Sequence, residues 1–143
     1  MPHLVILYTG QLDQAVDMKS LCRQLADAML TVKDETGKQV FPKGGTRVLA
    51  YPAPHYAVSD GGAAGVAAGG DGDYAFVYLN LRMGRGRTEA TQNRVGETLL
   101  GLAKTFFSPL MATKHMGVTM QIDVGQEVFD AKHSSLHPLF NKA

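Results

Sequence analysis

The stretch that decides the fold lies in the middle of the chain, where residues 73–87 read DYAFVYLNLRMGRGR. Its first ten residues are rich in aromatic and branched side chains, which are typical of a buried strand. The glycines and arginines that follow break this pattern and indicate a turn. Thr88 can then cap a helix, and Glu89 in the first turn suits the helix dipole. The stretch therefore predicts a strand, a short turn and the start of a helix.

Downstream of this stretch, apolar residues at three- and four-residue steps extend the helix to about residue 115. The residues of this stripe are Val95, Leu99, Leu102, Phe106 and Leu110. Pro109 lies inside the stripe and is expected to kink or shorten the helix. Residues 117–124 (GVTMQIDV) alternate in part and predict a further strand, after which residues 125–143 form a tail.

Upstream of it, the same elements occur in the same order. Residues 2–8 (PHLVILY) predict a strand, residues 11–33 a helix with one apolar face, and residues 46–51 (TRVLAY) a second strand that ends before Pro52 and Pro54. Residues 59–72 (SDGGAAGVAAGGDG) have little to bury and contain neither G-x-G-x-x-G nor a Walker motif. We expect them to form a mobile loop, a flexible insertion between the two halves.

The order of elements is thus β-α-β, a loop, β-α-β and a tail. Each half has the length for a right-handed crossover between parallel strands. The predicted fold class is α+β, with two β-α-β units that form one four-stranded sheet and both helices on one face. The other face would be bare, although its strands look apolar on both sides. Oligomerisation is the natural way to cover it.

Composition excludes several classes of protein. The 14 Lys and Arg residues nearly balance the 13 Asp and Glu residues, so no nucleic-acid partner is expected. The single cysteine, Cys22, excludes an internal disulfide. No apolar run reaches the roughly 18 residues of a membrane span, and the first residues do not resemble a signal peptide. We expect a soluble, cytoplasmic protein with one domain over residues 1–143 and no membrane partner.

Pro2 is a candidate base because it follows the initiator methionine directly. Small residues at this position normally permit removal of Met1, and proline then carries a free secondary amine. An ordinary α-amino group has a pKa of about 8, which burial and nearby arginines would lower towards neutrality. A base of that kind suits proton abstraction beside a carbonyl. The alternative is that Pro2 simply starts a strand.

Arginines are the second group of candidates. Arg47 lies in the second predicted strand, while Arg85 and Arg87 lie between the third strand and its helix, a position that suits anions. Guanidinium groups bind carboxylates through paired hydrogen bonds, although plain surface solvation is the alternative for each. His133 and His137 are spaced as helix ligands, but Asp130 is the sole further donor nearby. We therefore predict neither a metal site nor a cofactor.

The motifs together resemble one known family. Residues 73–87, KTFF at 104–107, the Met1-Pro2-His3 start and LHPLF at 136–140 are similar to 5-carboxymethyl-2-hydroxymuconate Δ-isomerases of the tautomerase superfamily. The resemblance implies a homotrimer whose sheets face inward, with sites near the subunit boundaries. It also implies a small unsaturated carboxylate as substrate and Pro2 as the proton-transferring base. Arg47 and Arg87 would bind substrate carboxylates or stabilise the dienolate, whereas Arg85 falls where the family pattern varies.

Three departures from that family pattern leave the substrate open: the long loop at residues 59–72, the prolines at 52 and 54, and Pro109. Related activities of the superfamily are alternatives, namely phenylpyruvate-type keto–enol tautomerisation, decarboxylation and dehalogenation. A trimeric binding protein without activity is a further alternative. Retention of Met1, or side chains of Arg47 and Arg87 that point away from Pro2, would favour it. With Met1 retained, the nitrogen of Pro2 would be an amide and could not act as a base.

Overall fold

The computed structural model describes residues 2–140 as four strands, three α-helices and three 3₁₀ turns. In chain order the strands and helices are β1 (His3–Thr9), α1 (Met18–Thr31), β2 (Arg47–Ala53), α2 (Ala63–Ala67), β3 (Ala75–Met83), α3 (Glu89–Met111) and β4 (Met116–Val124). The 3₁₀ turns are Gly10–Gln14, Lys43–Gly45 and His137–Leu139. None of the helices within residues 2–140 is both long and apolar enough to cross a membrane.

The strands form one mixed sheet in the order β2-β1-β3-β4. β1 pairs in parallel with β2, and β3 pairs in parallel with β4, so each half of the chain is a β-α-β unit. The two units join through the antiparallel pair of β1 and β3 at the centre of the sheet. The predicted α+β fold of two β-α-β units is therefore confirmed.

Alternation along the strands separates a core face from a bare face. On the core face, Leu4 and Ile6 of β1 lie beside Leu81 and Leu79 of β3, and all four are fully buried. The long helices pack against this layer through apolar stripes that include Leu21, Leu25, Leu99 and Phe107. Each such leucine contributes about 1.5–3 kcal/mol when it is removed from water. Burial of these stripes is what holds α1 and α3 on one side of the sheet.

The bare face is apolar in one half and polar in the other. Leu7, Leu49 and Tyr51 of β1 and β2 are 47%, 45% and 50% exposed, respectively. Across β3 and β4, by contrast, the Tyr78 hydroxyl donates to Gln121 at 2.7 Å, and the Asn80 amide donates to Asp123 at 2.9 Å. The expectation that the strands are apolar on both sides is therefore right only for β1 and β2.

The boundaries of several elements differ from the prediction. The first helix begins at Met18 instead of residue 11, because the side chain of Asp17 accepts a hydrogen bond from the Ser20 amide and caps it. β2 runs through Pro52 to Ala53, which an edge strand tolerates since one side of its backbone makes no ladder hydrogen bonds. α3 includes Pro109 in its last turn and ends at Met111, four residues earlier than expected.

The insertion at residues 59–72 contains the short helix α2 instead of an unstructured loop. The carboxylate of Asp60 accepts hydrogen bonds from the amides of Gly62 and Ala64, both at 2.9 Å, at the start of this helix. The Gly65 amide donates to the Tyr74 hydroxyl at 2.8 Å, and a Cβ at Gly65 would lie 2.7 Å from the Tyr74 ring. Small residues thus permit the close approach that packs α2 onto the start of β3.

Candidate active site

The two β-α-β units bring the beginnings of β1 and β2 beside the ends of β3 and β4. We refer to this border of the sheet, which is formed by strand ends and not by an edge strand, as the edge. At this edge His3 lies opposite Arg47 on one side and opposite Arg82 on the other. Strand alternation places all three side chains on the bare face. Pro2 is buried and immediately precedes His3, so the candidate base lies directly before the strand that runs between the two arginines.

Two guanidinium groups, those of Arg47 and Arg82, flank His3 at this edge. Within residues 2–140, no carboxylate oxygen lies within 4.0 Å of Arg47 or Arg82. Burial lowers the pKa of His3 below its usual value of 6.5, and the positive charges of Arg47 and Arg82 lower it further. The same field would disfavour an ammonium group at the neighbouring residue, Pro2.

The tail, here residues 125–140, runs across this edge of the bare face and forms one wall of a groove. The Gly125 amide continues the sheet by donating to the Met83 carbonyl at 2.8 Å. At the far end, the His137 ring packs so close to Gly44 that an added Cβ would lie 2.8 Å from its Nδ1. The tail therefore spans from the β4 side of the sheet to the loop that precedes β2.

We call the space under the tail the tail groove. It consists of two cavities, each lined by both His3 and Asp130. One cavity has a volume of about 470 Å³ and is lined further by Arg82, Asp123 and Glu127. The other has a volume of about 490 Å³ and is lined further by Arg47, Lys132 and His133. His3 and Asp130 thus stand where the two halves of the groove meet.

Arg87 occupies a different place at the same edge. Its Nη1 donates to the Gly84 carbonyl at 3.1 Å, and its Nη2 donates to the Val40 carbonyl at 3.0 Å. The guanidinium also lies 5.1 Å from the centre of the Phe41 ring, and its burial lowers the pKa of Arg87. Arg87 therefore ties the loop after β3 to the loop before β2, and it does not line either cavity of the tail groove.

The structure thus places Arg47 beside His3 in the lining of the tail groove and Pro2 directly before His3. Pro2 is buried and lines neither cavity of the groove, and Arg87 makes a loop contact. Arg85 is exposed on the turn before α3. Sequence reasoning missed Arg82, although the alternation of residues 73–82 puts it on the face of Tyr78 and Asn80. It also missed Lys132, for which no local signal exists because the tail returns to the site only in the folded chain.

Outside the tail groove, two features of the structure bear on the choice of site. Among residues 2–140, no group of three or more His, Cys, Asp or Glu side chains is arranged to hold a metal ion. A third cavity, of about 560 Å³, lies at the opposite edge of the sheet and is lined by apolar and aromatic groups that include Tyr74, Phe76 and Met116. It is mainly apolar and far along the strands from Pro2, so the tail groove is the better candidate for chemistry on a charged molecule.

The topology of two β-α-β units in one sheet defines a tautomerase-like fold, which fused 4-OT trimers share. The family model for 5-carboxymethyl-2-hydroxymuconate isomerase matches residues 2–140. The chain therefore belongs to the 5-carboxymethyl-2-hydroxymuconate isomerase family, and the predicted family and isomerase class are confirmed.

Individual relatives agree with this assignment. The chain is 25% identical over 140 residues to 5-carboxymethyl-2-hydroxymuconate Delta-isomerase from Escherichia coli, with 98% of this chain and 99% of that protein covered. It is 64% identical to a crystal structure of a 5-carboxymethyl-2-hydroxymuconate delta-isomerase, with a TM-score of 0.96 over 100% of this chain and 95% of that one. A 5-carboxymethyl-2-hydroxymuconate isomerase from Deinococcus radiodurans R1 is 26% identical, with a TM-score of 0.80 and coverages of 99% and 95%.

Proposed function

We propose that this chain isomerises 5-carboxymethyl-2-hydroxymuconate or a close relative, with Pro2 as the general base. The observation that carries the proposal is the position of Pro2 at the start of β1, directly before a histidine flanked by Arg47 and Arg82. The names of the relatives support the substrate class. We further propose that residues 1–143 form a single tautomerase-like domain.

The base would act through its free secondary amine after removal of Met1. The lone pair of the amine accepts a proton from the 2-hydroxyl group of the dienol, or from the carbon activated by the carbonyl group in the keto form. Either loss leaves the same dienolate, and the proton returns at a different position of the conjugated system. The composition of the substrate does not change, so the reaction requires no oxidant and no second substrate. Nearby arginines keep the amine uncharged near neutral pH.

The arginines would take different parts in this reaction. Arg47 faces the tail groove without an ion pair to any carboxylate of residues 2–140, so it is free to bind a substrate carboxylate through two parallel hydrogen bonds. Arg87 donates one hydrogen from each Nη atom to a backbone carbonyl, which leaves three of its five N–H donors, the Nε–H and one on each Nη. We propose that Arg87 stabilises substrate charge from this position while it holds the two loops together.

We also propose that the active form is a homotrimer. The exposed apolar side chains of Leu7, Leu49 and Tyr51 form a continuous patch on the bare face, since these residues are paired between β1 and β2 or follow one another along β2. Contiguous exposed patches of this kind mark contact surfaces between proteins. Closure of three copies around an axis would remove the patch from water.

The proposed substrate can be separated from its alternatives by charge. A phenylpyruvate-like molecule carries one carboxylate and an apolar ring, whereas a carboxymethyl-substituted muconate carries three carboxylates. In the half of the tail groove beside Arg47, the lining carries the guanidinium of Arg47 and the ammonium group of Lys132, with Asp130 as its sole carboxylate. That lining favours the polycarboxylate over an aromatic monocarboxylate.

The decisive experiment combines intact mass with a ketonisation assay. The mature protein should lack the mass of Met1 and should convert 5-carboxymethyl-2-hydroxymuconate faster than a phenylpyruvate enol. Loss of a general base typically costs about 10²–10⁴-fold in rate, and we expect a loss of that order for Pro2→Ala. Ser135→Ala, in the exposed tail, is the control and should retain the rate. Full activity in Pro2→Ala, or a retained Met1 in the active protein, would exclude the amine mechanism.

A further inference from the structure

The two halves of the tail groove carry opposite charge. Three carboxylates, those of Asp123, Glu127 and Asp130, line the half beside Arg82. In the half beside Arg47, by contrast, Lys132 adds a second full positive charge and Asp130 is the sole carboxylate of the lining. A polycarboxylate entering the groove is therefore attracted to the Arg47 half and repelled by the other.

Within the Arg47 half of the groove, Lys132 is held by a contact that a ligand can replace. Its Nζ lies 2.8 Å from Oδ2 of Asp130, two residues earlier in the same segment. The side chains of Lys132 and Asp130 are 40% and 52% exposed, so water screens their attraction. An incoming carboxylate that also binds Arg47 competes for Lys132 with the advantage of a second contact.

We propose that Lys132 is a specificity-determining residue that binds a substrate carboxylate beside the one held by Arg47, and that Asp130 competes for the same ammonium group. This inference rests on the proposed function and extends it from the strands to the tail. The planar guanidinium of Arg47 suits a carboxylate in a fixed orientation. The flexible ammonium of Lys132 can follow a carboxylate on a freely rotating carboxymethyl arm.

Substitutions of Lys132 and of Asp130 are expected to change the affinity for substrate in opposite directions. Lys132→Gln should raise KM for 5-carboxymethyl-2-hydroxymuconate about tenfold, which corresponds to one lost charge-assisted contact, and should leave kcat within about twofold. Asp130→Asn removes the competitor and should lower KM. Lys132→Arg keeps the charge and should restore most of the affinity.

The matched control is Lys104→Gln, which changes net charge equally on the exposed surface of α3, the layer on the other side of the sheet. Binding is measured separately from turnover, by calorimetry with the unreactive anions propane-1,2,3-tricarboxylate and succinate. We expect Lys132→Gln to weaken the tricarboxylate more than the dicarboxylate, and Lys104→Gln to weaken neither.

The results separate this inference from the proposed function. If the wild-type protein binds the tricarboxylate but does not isomerise the muconate, the proposed function fails while the calorimetric comparison still tests Lys132. If Lys132→Gln and Asp130→Asn shift affinity in the same direction, or if Lys132→Gln matches Lys104→Gln, the inference is overturned. A wild-type protein that binds neither anion would overturn it as well.

Discussion

His3 lies directly opposite Arg47 on the parallel strands β1 and β2, with both side chains on the bare face of the sheet. The pairing places a titratable ring beside a permanent positive charge, one residue after the candidate base. The strand on the other side of His3 contributes Arg82. The electrostatic character of this edge therefore follows from strand register, because residues far apart in the chain are set side by side by the pairing of β1 with its two neighbours.

The depressed pKa of His3 makes the stability of the fold depend on pH. A histidine whose pKa is lower in the folded state is protonated first in the unfolded chain, so protons favour unfolding. Stability should therefore be unaffected by His3 above about pH 6.5 and should fall as the pH drops from there towards the folded-state pKa. The contribution of His3 to the free energy of unfolding is fully lost below its folded-state pKa.

This effect can be measured by thermal unfolding between pH 7.5 and pH 5. His3→Gln should show a smaller decrease of Tm on acidification than the wild type, while His55→Gln, at an exposed position after β2, should follow the wild-type curve. Identical pH profiles for His3→Gln and the wild type would contradict the assignment.

Arg87→Ala should weaken the fold as well as the activity. The substitution removes two charged hydrogen bonds, to the carbonyls of Gly84 and Val40, and the contact with Phe41. We expect a loss of about 2–3 kcal/mol in the free energy of unfolding, measured with urea. Arg85→Ala, on the same exposed turn, should change it by less than about 0.5 kcal/mol. Equal stability of the two variants would show that the loop contact contributes nothing.

Gly44→Ala should release the tail from its docking site. The added methyl group would lie 2.8 Å from Nδ1 and 3.2 Å from Cα of His137, so the turn at His137–Leu139 must move away. Overpacking of this kind costs about 1–3 kcal/mol. Because a released tail is more accessible to protease, trypsin cleavage after Lys132 should accelerate by about tenfold, as followed by mass spectrometry.

The control for the tail is Gly101→Ala. Nothing lies within 4 Å of an added Cβ at this position in α3, and alanine is the better helix former by about 1 kcal/mol. This variant should be slightly more stable and should be cleaved at the wild-type rate. If Gly44→Ala is cleaved no faster than Gly101→Ala, the tail is not held by the His137 contact.

Leu49→Lys should dissociate the proposed trimer. Leu49 lies in the apolar patch on the bare face and is 45% exposed in the single chain, so a charge there would be buried between copies. Multi-angle light scattering should show the mass fall about threefold, to that of one chain. Val66→Lys introduces the same charge on α2, where the native side chain is 60% exposed, and should leave the mass unchanged. An unchanged mass in Leu49→Lys would place the interface elsewhere.

Much of the fold was predictable because it depends on local periodicity. The side of each element that meets the core is visible in the sequence as a local repeat. It appears as alternation in residues 73–82 and as three- and four-residue steps from Val95 to Leu110. The order of two β-α-β units then followed from the length of the crossovers. The same topology puts the starts of β1 and β2 at one edge, so the proximity of Pro2 and Arg47 was also predictable.

Other features depend on contacts between distant segments, which local patterns do not record. Small residues at 59–72 suggested disorder, yet Asp60 and Tyr74 provide the hydrogen bonds that order α2. Sequence alone does not distinguish an arginine that faces a groove, as Arg47 does, from one that binds loop carbonyls, as Arg87 does. The surrounding backbone, which only the folded chain assembles, decides between them.

By itself, then, the sequence determined the four strands and the two long helices, their order and the edge at which the chemistry is expected, since burial imposes a period on each of these elements. Only the tertiary structure decided which cations line the groove. Lys132 reaches it because His137 packs on Gly44 and holds the tail across the sheet, a contact between residues 93 positions apart (137 − 44) that no local pattern encodes.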